Sequence, residues 1–436
     1  MLKHELLEDS STGSRVQKTL LPSGLRIITE EVPTVRSATI GYWVGIGSVD
    51  ETPEVGGAAH FLEHLLFKGT SKRTALEISS EIEAVGGDMN AFTTQEYTCF
   101  HAKVLDNSVP LAVDVLSDML ADSKVTPEDT EQERNVVLEE ISMHEDEPGE
   151  LSYDRFSQKL LGDQPIGRPI IGTRETITNM TRDQVNGFYQ NFYSPQNTVI
   201  SMAGNFKHEE AVDLVVKTLD KTRWNTKNEP KLIRDKSPLP ANGKGVTLVS
   251  KDTEQAHLVW GMKALDRHHP DRFALAVLNA ALGGGMSSRL FQEIREKHGL
   301  VYTVYSFAHQ FTGVGMFGVY AGCMKERVGD VVGLIRQELN KVVQNGITED
   351  ELIRGKGQIQ GGILLGLEDT NSRMTRIAKA ELVMGEYQTV DQAIEKVNAV
   401  TLHQTQQLAE QIFTQDGLLS VVGQFDDAGE LAGLVI

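Results

Sequence analysis

The strongest constraint on the fold is an internal repeat of about 220 residues, a period far longer than that of a stacked solenoid unit. Residues 256–261 lie on residues 38–43 as one strand. Residues 418–425 lie on residues 199–206, and both stretches end in Gly-x-Phe. Glu293-Ile294 falls on Glu81-Ile82, Gly299 on Gly87, and Thr348-Glu349-Asp350 on Pro127-Glu128-Asp129. A whole domain is therefore duplicated. Between the copies, residues 224–245 are rich in Lys, Asn and Pro and lack apolar periodicity, which reads as a linker. The expected organisation is a domain at 1–223, a linker at 224–245 and a homologous domain at 246–436. Each half mixes antiparallel strands with helices, an α+β pattern.

Local patterns predict the elements of the first half. A hairpin at 18–32 turns at Pro22-Ser23-Gly24, and a strand follows at 37–44. Two strands at 90–103 flank Gln95-Glu96, and another covers 198–203. Helices are expected at 56–67, 74–85 (closed by Gly86-Gly87), 111–121, 127–146, 150–161 and 181–191.

The repeat is informative where it breaks. The first half contains His60-Phe61-Leu62-Glu63-His64, and the second half has no counterpart. On a helix His60 and His64 share a face, so both imidazoles can reach one metal ion, with Glu63 beside it as a base. The order His-x-x-Glu-His inverts the His-Glu-x-x-His pattern of zinc proteases. Phe61, Leu62, Leu65 and Leu66 predict a largely buried helix. A buried pair of histidines and a carboxylate require a polar purpose.

A catalytic zinc site takes three protein ligands and one open position. The third is expected in Glu133-Arg134-Asn135-Val136-Val137-Leu138-Glu139-Glu140. Glu133 and Glu140 share a helical face, with Val136 and Val137 turned toward the core. Periodicity leaves Glu139 nearly as good a ligand as Glu140. Glu133 then orients a ligand histidine. The position answering the end of this helix in the second half is Gly361 or Gly362, so only the first half can hold a metal. A metal-activated water with Glu63 as general base performs peptide hydrolysis.

A net charge of −19 disfavours nucleic acid as a partner and suits a cationic peptide. The two cysteines, Cys99 and Cys323, form no Cys-x-x-Cys spacing. Residues 1–16 are polar and carry Glu5, Glu8 and Asp9, without the apolar run of a secretory leader. No apolar run is long enough to span a membrane, so a cytoplasmic protein is expected.

Five blocks together resemble the pitrilysin family of metallopeptidases, in the branch of the mitochondrial processing peptidase β subunit and its bacterial relatives. They are His60 to His64 with Phe67-Lys68-Gly69-Thr70, Asn90-Ala91-Phe92-Thr93, Glu133 to Glu140, Tyr193-Ser194-Pro195-Gln196-Asn197, and Arg295 to Tyr302. The resemblance implies one Zn2+ per chain on His60, His64 and Glu140, with Glu63 as general base and Glu133 as the supporting acid. It implies two halves closing as a clamshell around a chamber, and hence short or unfolded peptide substrates. Asn90, Ala91, Phe92 and Thr93 would form an edge strand on which the peptide is laid. Arg295 and Tyr302 would come from the second half to the substrate carbonyl, Tyr302 stabilising the oxyanion. Glu150 and Asp154 fall where the branch binds an arginine before the cut, and Phe67 where it lines the pocket after it. One departure is Gln164 before Pro165-Ile166-Gly167-Arg168-Pro169, where the branch often has histidine. With every active-site piece in one chain, an active homodimer is expected. The competing expectation is a non-catalytic peptide-binding or assembly subunit of the same fold, against which the intact ligand set argues.

Overall fold

The computed structural model describes residues 3–9, 14–231 and 234–435. The N-terminal stretch 1–16 therefore lies partly outside the described residues. The described chain forms two compact units that interleave in sequence. Unit 1 takes residues 1–141, 169–234 and 365–389, and unit 2 takes 142–168, 235–364 and 390–436.

Among the described residues, unit 1 is built on a 7-stranded sheet of order β1-β2-β3-β7-β4-β6-β5. Its strands are β1 (Lys3–Asp9), β2 (Arg15–Leu20), β3 (Arg26–Glu31), β4 (Ser37–Val44), β5 (Asp88–Thr93), β6 (Thr98–Leu105) and β7 (Thr198–Gly204). Unit 2 has a 5-stranded sheet of order β10-β11-β9-β12-β8. These strands are β8 (Gly245–Ser250), β9 (Ala256–Ala264), β10 (Val301–Gln310), β11 (Gly315–Cys323) and β12 (Leu418–Gly423).

The run β3-β7-β4-β6-β5 is matched strand for strand by β8-β12-β9-β11-β10. Pair types match as well. β3–β7 and β8–β12 are parallel, and every other pair in the two runs is antiparallel. The parallel pairs depart from the expected all-antiparallel sheets. Parallel neighbours require a long crossover connection, and the helices between β6 and β7 supply one in unit 1. Strand β1 was not foreseen, since its sequence KHELLED lacks a clean alternation.

Strand β4 shows why these sheets are buried on both faces. Ala38, Ile40, Tyr42 and Val44 join the core with the helices α1 (Ala58–Leu65), α2 (Ala75–Glu83) and α3 (Val109–Asp122). The alternate residue Trp43 joins a second cluster with Met374, Ile377 and Ala378. Those three belong to the helix Thr370–Lys379, contributed by the second half of the sequence. Its Arg373 and Arg376 both pair with the buried Glu30 carboxylate of β3.

Two further helices follow α3, namely α4 (Pro127–Asp146) and α5 (Pro148–Leu161). Helix α5 belongs to unit 2 and packs on β9 and β12. A side chain at Gly261 of β9 would reach within 2.8 Å of the Phe156 ring of α5. The helix after each long helix of the repeat thus sits on the sheet of the other half's unit. Residues 224–231 and 234–244, the expected linker, contain no regular element among the described residues beyond the turn at Trp224. No described helix is long and apolar enough to cross a membrane.

Candidate metal centre

Helix α1 is started by a carboxylate, not by its own first residue. Both oxygens of buried Glu51 accept backbone N–H groups, from Gly57 and Ala59, each at 2.8 Å. Gly57 has φ +93°, and a Cβ there would lie 2.8 Å from the Ile171 carbonyl oxygen. Glycine is thus needed to turn the chain into the helix. Phe61, Leu62, Leu65 and Leu66 then point into the core. The opposite stripe carries His60 and His64, whose ring centroids are 4.8 Å apart.

Helix α4 faces them. Thr130, Glu133, Val137 and Ile141 are its buried residues. Val136, expected to turn inward, is 48% exposed. At about 100° per residue, Val136 sits about 60° from Glu133 on the side away from Val137 and Ile141. Glu139 is exposed, and Glu140 is half-buried beside the histidines. Glu140 Oε1 lies 3.6 Å from His60 Nε2, and its Oε2 lies 3.5 Å from His64 Nε2.

These three residues form the one group among the described residues able to hold a metal, with ligand atoms within 4.8 Å of one another. The spacing fits an ion better than a direct contact. It exceeds a charge-assisted hydrogen bond of about 2.7–2.9 Å. It is close to the ~3.3 Å between ligand atoms that metal–ligand distances of about 2.0–2.1 Å give at a tetrahedral angle.

The surroundings complete the fit. Glu133 Oε2 lies 3.2 Å from His64 Nδ1, and its other oxygen takes the Lys68 ammonium. This places the His64 proton on Nδ1 and leaves the Nε2 lone pair facing Glu140. Burial lowers the His60 pKa to about 4, partly offset by Glu140, so this ring is held neutral as a ligand must be. Its buried Nδ1 has no hydrogen-bond partner. Burial also disfavours charge on His64, but the surrounding carboxylates of Glu140, Glu133 and Glu63 together outweigh it and raise its pKa. Burial raises the pKa of Glu63, and a hydrogen bond from Thr93 opposes the shift. That bond, from Thr93 Oγ1 to Glu63 Oε2, is 2.5 Å. The site thus joins a basic carboxylate to three converging ligand atoms.

The other expected residues fall into separate groups. Strand β5 is an edge of its sheet among the described residues. Along it Asn90 is exposed, with its side-chain oxygen on the Ala91 N–H at 2.8 Å. Ala91 packs on the core, and Phe92 rests edge-on against Trp43 at 5.6 Å. The half-buried Phe67 ring lies 6.1 Å from that of Phe100. In unit 2, Tyr302 is the second residue of β10, an edge strand of its sheet among the described residues, and is 76% exposed. The Arg295 guanidinium stacks between the Phe291 and Tyr302 rings, at 4.6 and 4.9 Å. Glu150 and Asp154 both close on His144.

Three participants were given no role beside these ligands and carboxylates by the sequence. Thr93 could have been found as the last residue of the expected edge strand, and His144 by its i+4 spacing from Glu140. Lys68 lies beyond the end of α1 and had no periodic signal.

Residues 26–174 match the family model described as insulinase (peptidase family M16), and residues 179–359 the one described as peptidase M16 inactive domain. A Streptomyces coelicolor protein described as an uncharacterized zinc protease is 48% identical over 415 residues, 94% of this chain and 90% of the relative. A Bacillus subtilis protein of the same description is 41% identical over 400 residues, 92% of this chain and 96% of the relative. The crystal structure of a protease from Helicobacter pylori, 21% identical, superposes with a TM-score of 0.84 over 94% of this chain and 99% of that one, and so shares the fold.

Proposed function

The chain belongs to peptidase family M16, and from that premise we propose that it is a zinc endopeptidase acting on short or unfolded peptides. The observation that carries this reading is the convergence of His60, His64 and Glu140 beside the basic carboxylate of Glu63. When bound, one zinc per chain supplies the Lewis acidity that activates water at neutral pH. Glu63 then takes the proton of the attacking water and returns it to the leaving amine. Its raised pKa suits both transfers, and Thr93 holds its orientation. Glu133 fixes the His64 ring with one oxygen, and Lys68 engages the other.

Substrate contacts complete the proposal. The exposed edge of β5 suits a peptide added as a further strand, with backbone hydrogen bonds and little demand on sequence. Phe67 lines the pocket after the cut. Arg295 and Tyr302 serve the substrate carbonyl, a role supported by the exposure of Tyr302 and the stacking that orders its ring. Glu150 and Asp154 recognise an arginine before the cut, their carboxylates already converging on one imidazole, that of His144. Ligands and base lie in one chain, so no unlike subunit is needed.

The test strips the protein with a chelator and adds zinc back in the presence of a quenched-fluorescent, arginine-containing peptide. Cleavage should vanish and return with one equivalent of zinc. A zinc-loaded protein that cleaves no peptide of any length between about pH 6 and 9 would leave the non-catalytic alternative.

A further inference from the structure

The carboxylate pair on α5 is not bare. Glu150 Oε2 lies 2.7 Å from His144 Nδ1, and Asp154 Oδ2 lies 2.8 Å from His144 Nε2. A neutral imidazole offers one N–H and one acceptor lone pair. Two carboxylates on opposite ring nitrogens call for two N–H donors, which only the imidazolium supplies. The hydrogen bond to Asp154 raises the His144 pKa, and Glu150 adds to it against the opposition of burial. The cluster is open to exchange, because the side chains of His144, Asp154 and Glu150 are 26%, 25% and 65% exposed.

The carboxylates in contact with the ring are Glu150 and Asp154, and both raise its pKa. Lys251, after β8, engages the Glu145 carbonyl and the Asp146 carboxylate at the end of α4. Tyr153 feels the charge of Asp154, but burial dominates and keeps it a neutral phenol.

We infer that His144 is a specificity-determining residue whose imidazolium holds the Glu150–Asp154 pair as an internal cation, which a substrate guanidinium must displace. The inference rests on the reading of that pair as the arginine-recognising element. Displacement favours arginine over lysine. A guanidinium offers a planar fork of donors that can satisfy two carboxylates, whereas an ammonium is a point charge. It also makes recognition depend on pH. The guanidinium stays charged throughout, while the imidazolium loses its proton as pH rises past its raised pKa. The deprotonated ring turns a lone pair toward one carboxylate and releases the pair.

The test compares two quenched-fluorescent peptides that differ only by arginine or its neutral isostere citrulline. The ratio of their kcat/KM values cancels the pH dependence of the shared chemistry. It is measured against pH for wild type, His144→Gln, His144→Ala and the double variant Glu150→Ala/Asp154→Ala. In wild type the ratio should climb about tenfold per pH unit below the His144 pKa and then level off. In both His144 variants it should stand at the plateau or above it at every pH. A wild-type ratio that is flat yet abolished in the double variant overturns the inference and leaves the arginine pair standing. A lower ratio in both His144 variants also overturns it, because the ring would then support the pair and not compete with arginine. A wild-type ratio of one at every pH, unchanged in the double variant, overturns the arginine reading itself.

Discussion

Glu133 offers a graded test of how the metal centre is held. The residue is 4% exposed, and its two oxygens are divided between His64 Nδ1 at 3.2 Å and the Lys68 ammonium. Glu133→Gln keeps the shape and an acceptor for His64 but removes the negative charge. Lys68 is 31% exposed and can return to water, so the loss falls on the His64 bond. A hydrogen bond to a charged group contributes about 1.5–3 kcal/mol against about 0.5–1.5 for a neutral one. The difference of about 1–1.5 kcal/mol corresponds to roughly five- to twelvefold in affinity. Glu133→Ala removes the acceptor altogether and should fall toward the upper part of the 10- to 100-fold range of about 1.4–2.7 kcal/mol. Zinc affinity measured by competition with a chromophoric chelator should therefore rank wild type, Gln, Ala. Affinities equal within about twofold in all three would refute the tautomer argument. A loss beyond about 10⁴-fold would make Glu133 a ligand.

Further perturbations probe the scaffold and the specificity. Gly41→Ala would set a Cβ 2.5 Å from Met374 Sδ and 2.6 Å from Trp43 Nε1. Overpacking there should cost about 1–3 kcal/mol, read as a lower denaturation midpoint at unchanged slope, and an unchanged midpoint would contradict the packing. His208 is buried with both ring nitrogens on threonine hydroxyls, at 2.7 and 2.8 Å, and burial lowers its pKa. Its folded pKa lies below the unfolded one, so the unfolded chain binds more protons. The stability it contributes is complete above the ordinary value of 6.5 and is lost as pH falls through the folded pKa. His208→Gln should flatten the fall in urea midpoint on acidification, and an identical slope would contradict it. Glu150→Ala with Asp154→Ala should cut cleavage of arginine peptides by about 10- to 150-fold, the cost of about 1.5–3 kcal/mol for hydrogen bonds to charged groups. Equal loss on neutral peptides would mean a distorted site instead.

What could be read from the sequence follows from which forces are local. The repeat, the histidine helix and the long acidic helix carry periodic signals, and α4 spans the expected 127–146. Strand β4 likewise covers 37–44 as its pattern predicts. Glu139 and Glu140 could not be separated by periodicity, because the choice depends on the rotation of α4 against α1. Arg134 fixes that rotation through backbone carbonyls at Ile177, Thr178 and Met180, contacts that no local pattern encodes. The interleaving of the units was likewise hidden. Helix α5 and the helix Thr370–Lys379 are each amphipathic and would suit either sheet by pattern alone. Partners such as Met374 on Trp43 at 3.0 Å are separated by most of the chain.

The assignment of three ligands and a separate base is tested most directly by zinc content and peptide cleavage measured together on wild type and Glu63→Gln. Both proteins should carry one zinc per chain, and only the wild type should cleave, with the variant slower by about 10²–10⁴-fold. Loss of zinc from Glu63→Gln would make Glu63 a ligand, and cleavage at the wild-type rate would show that the proton is handled by another group.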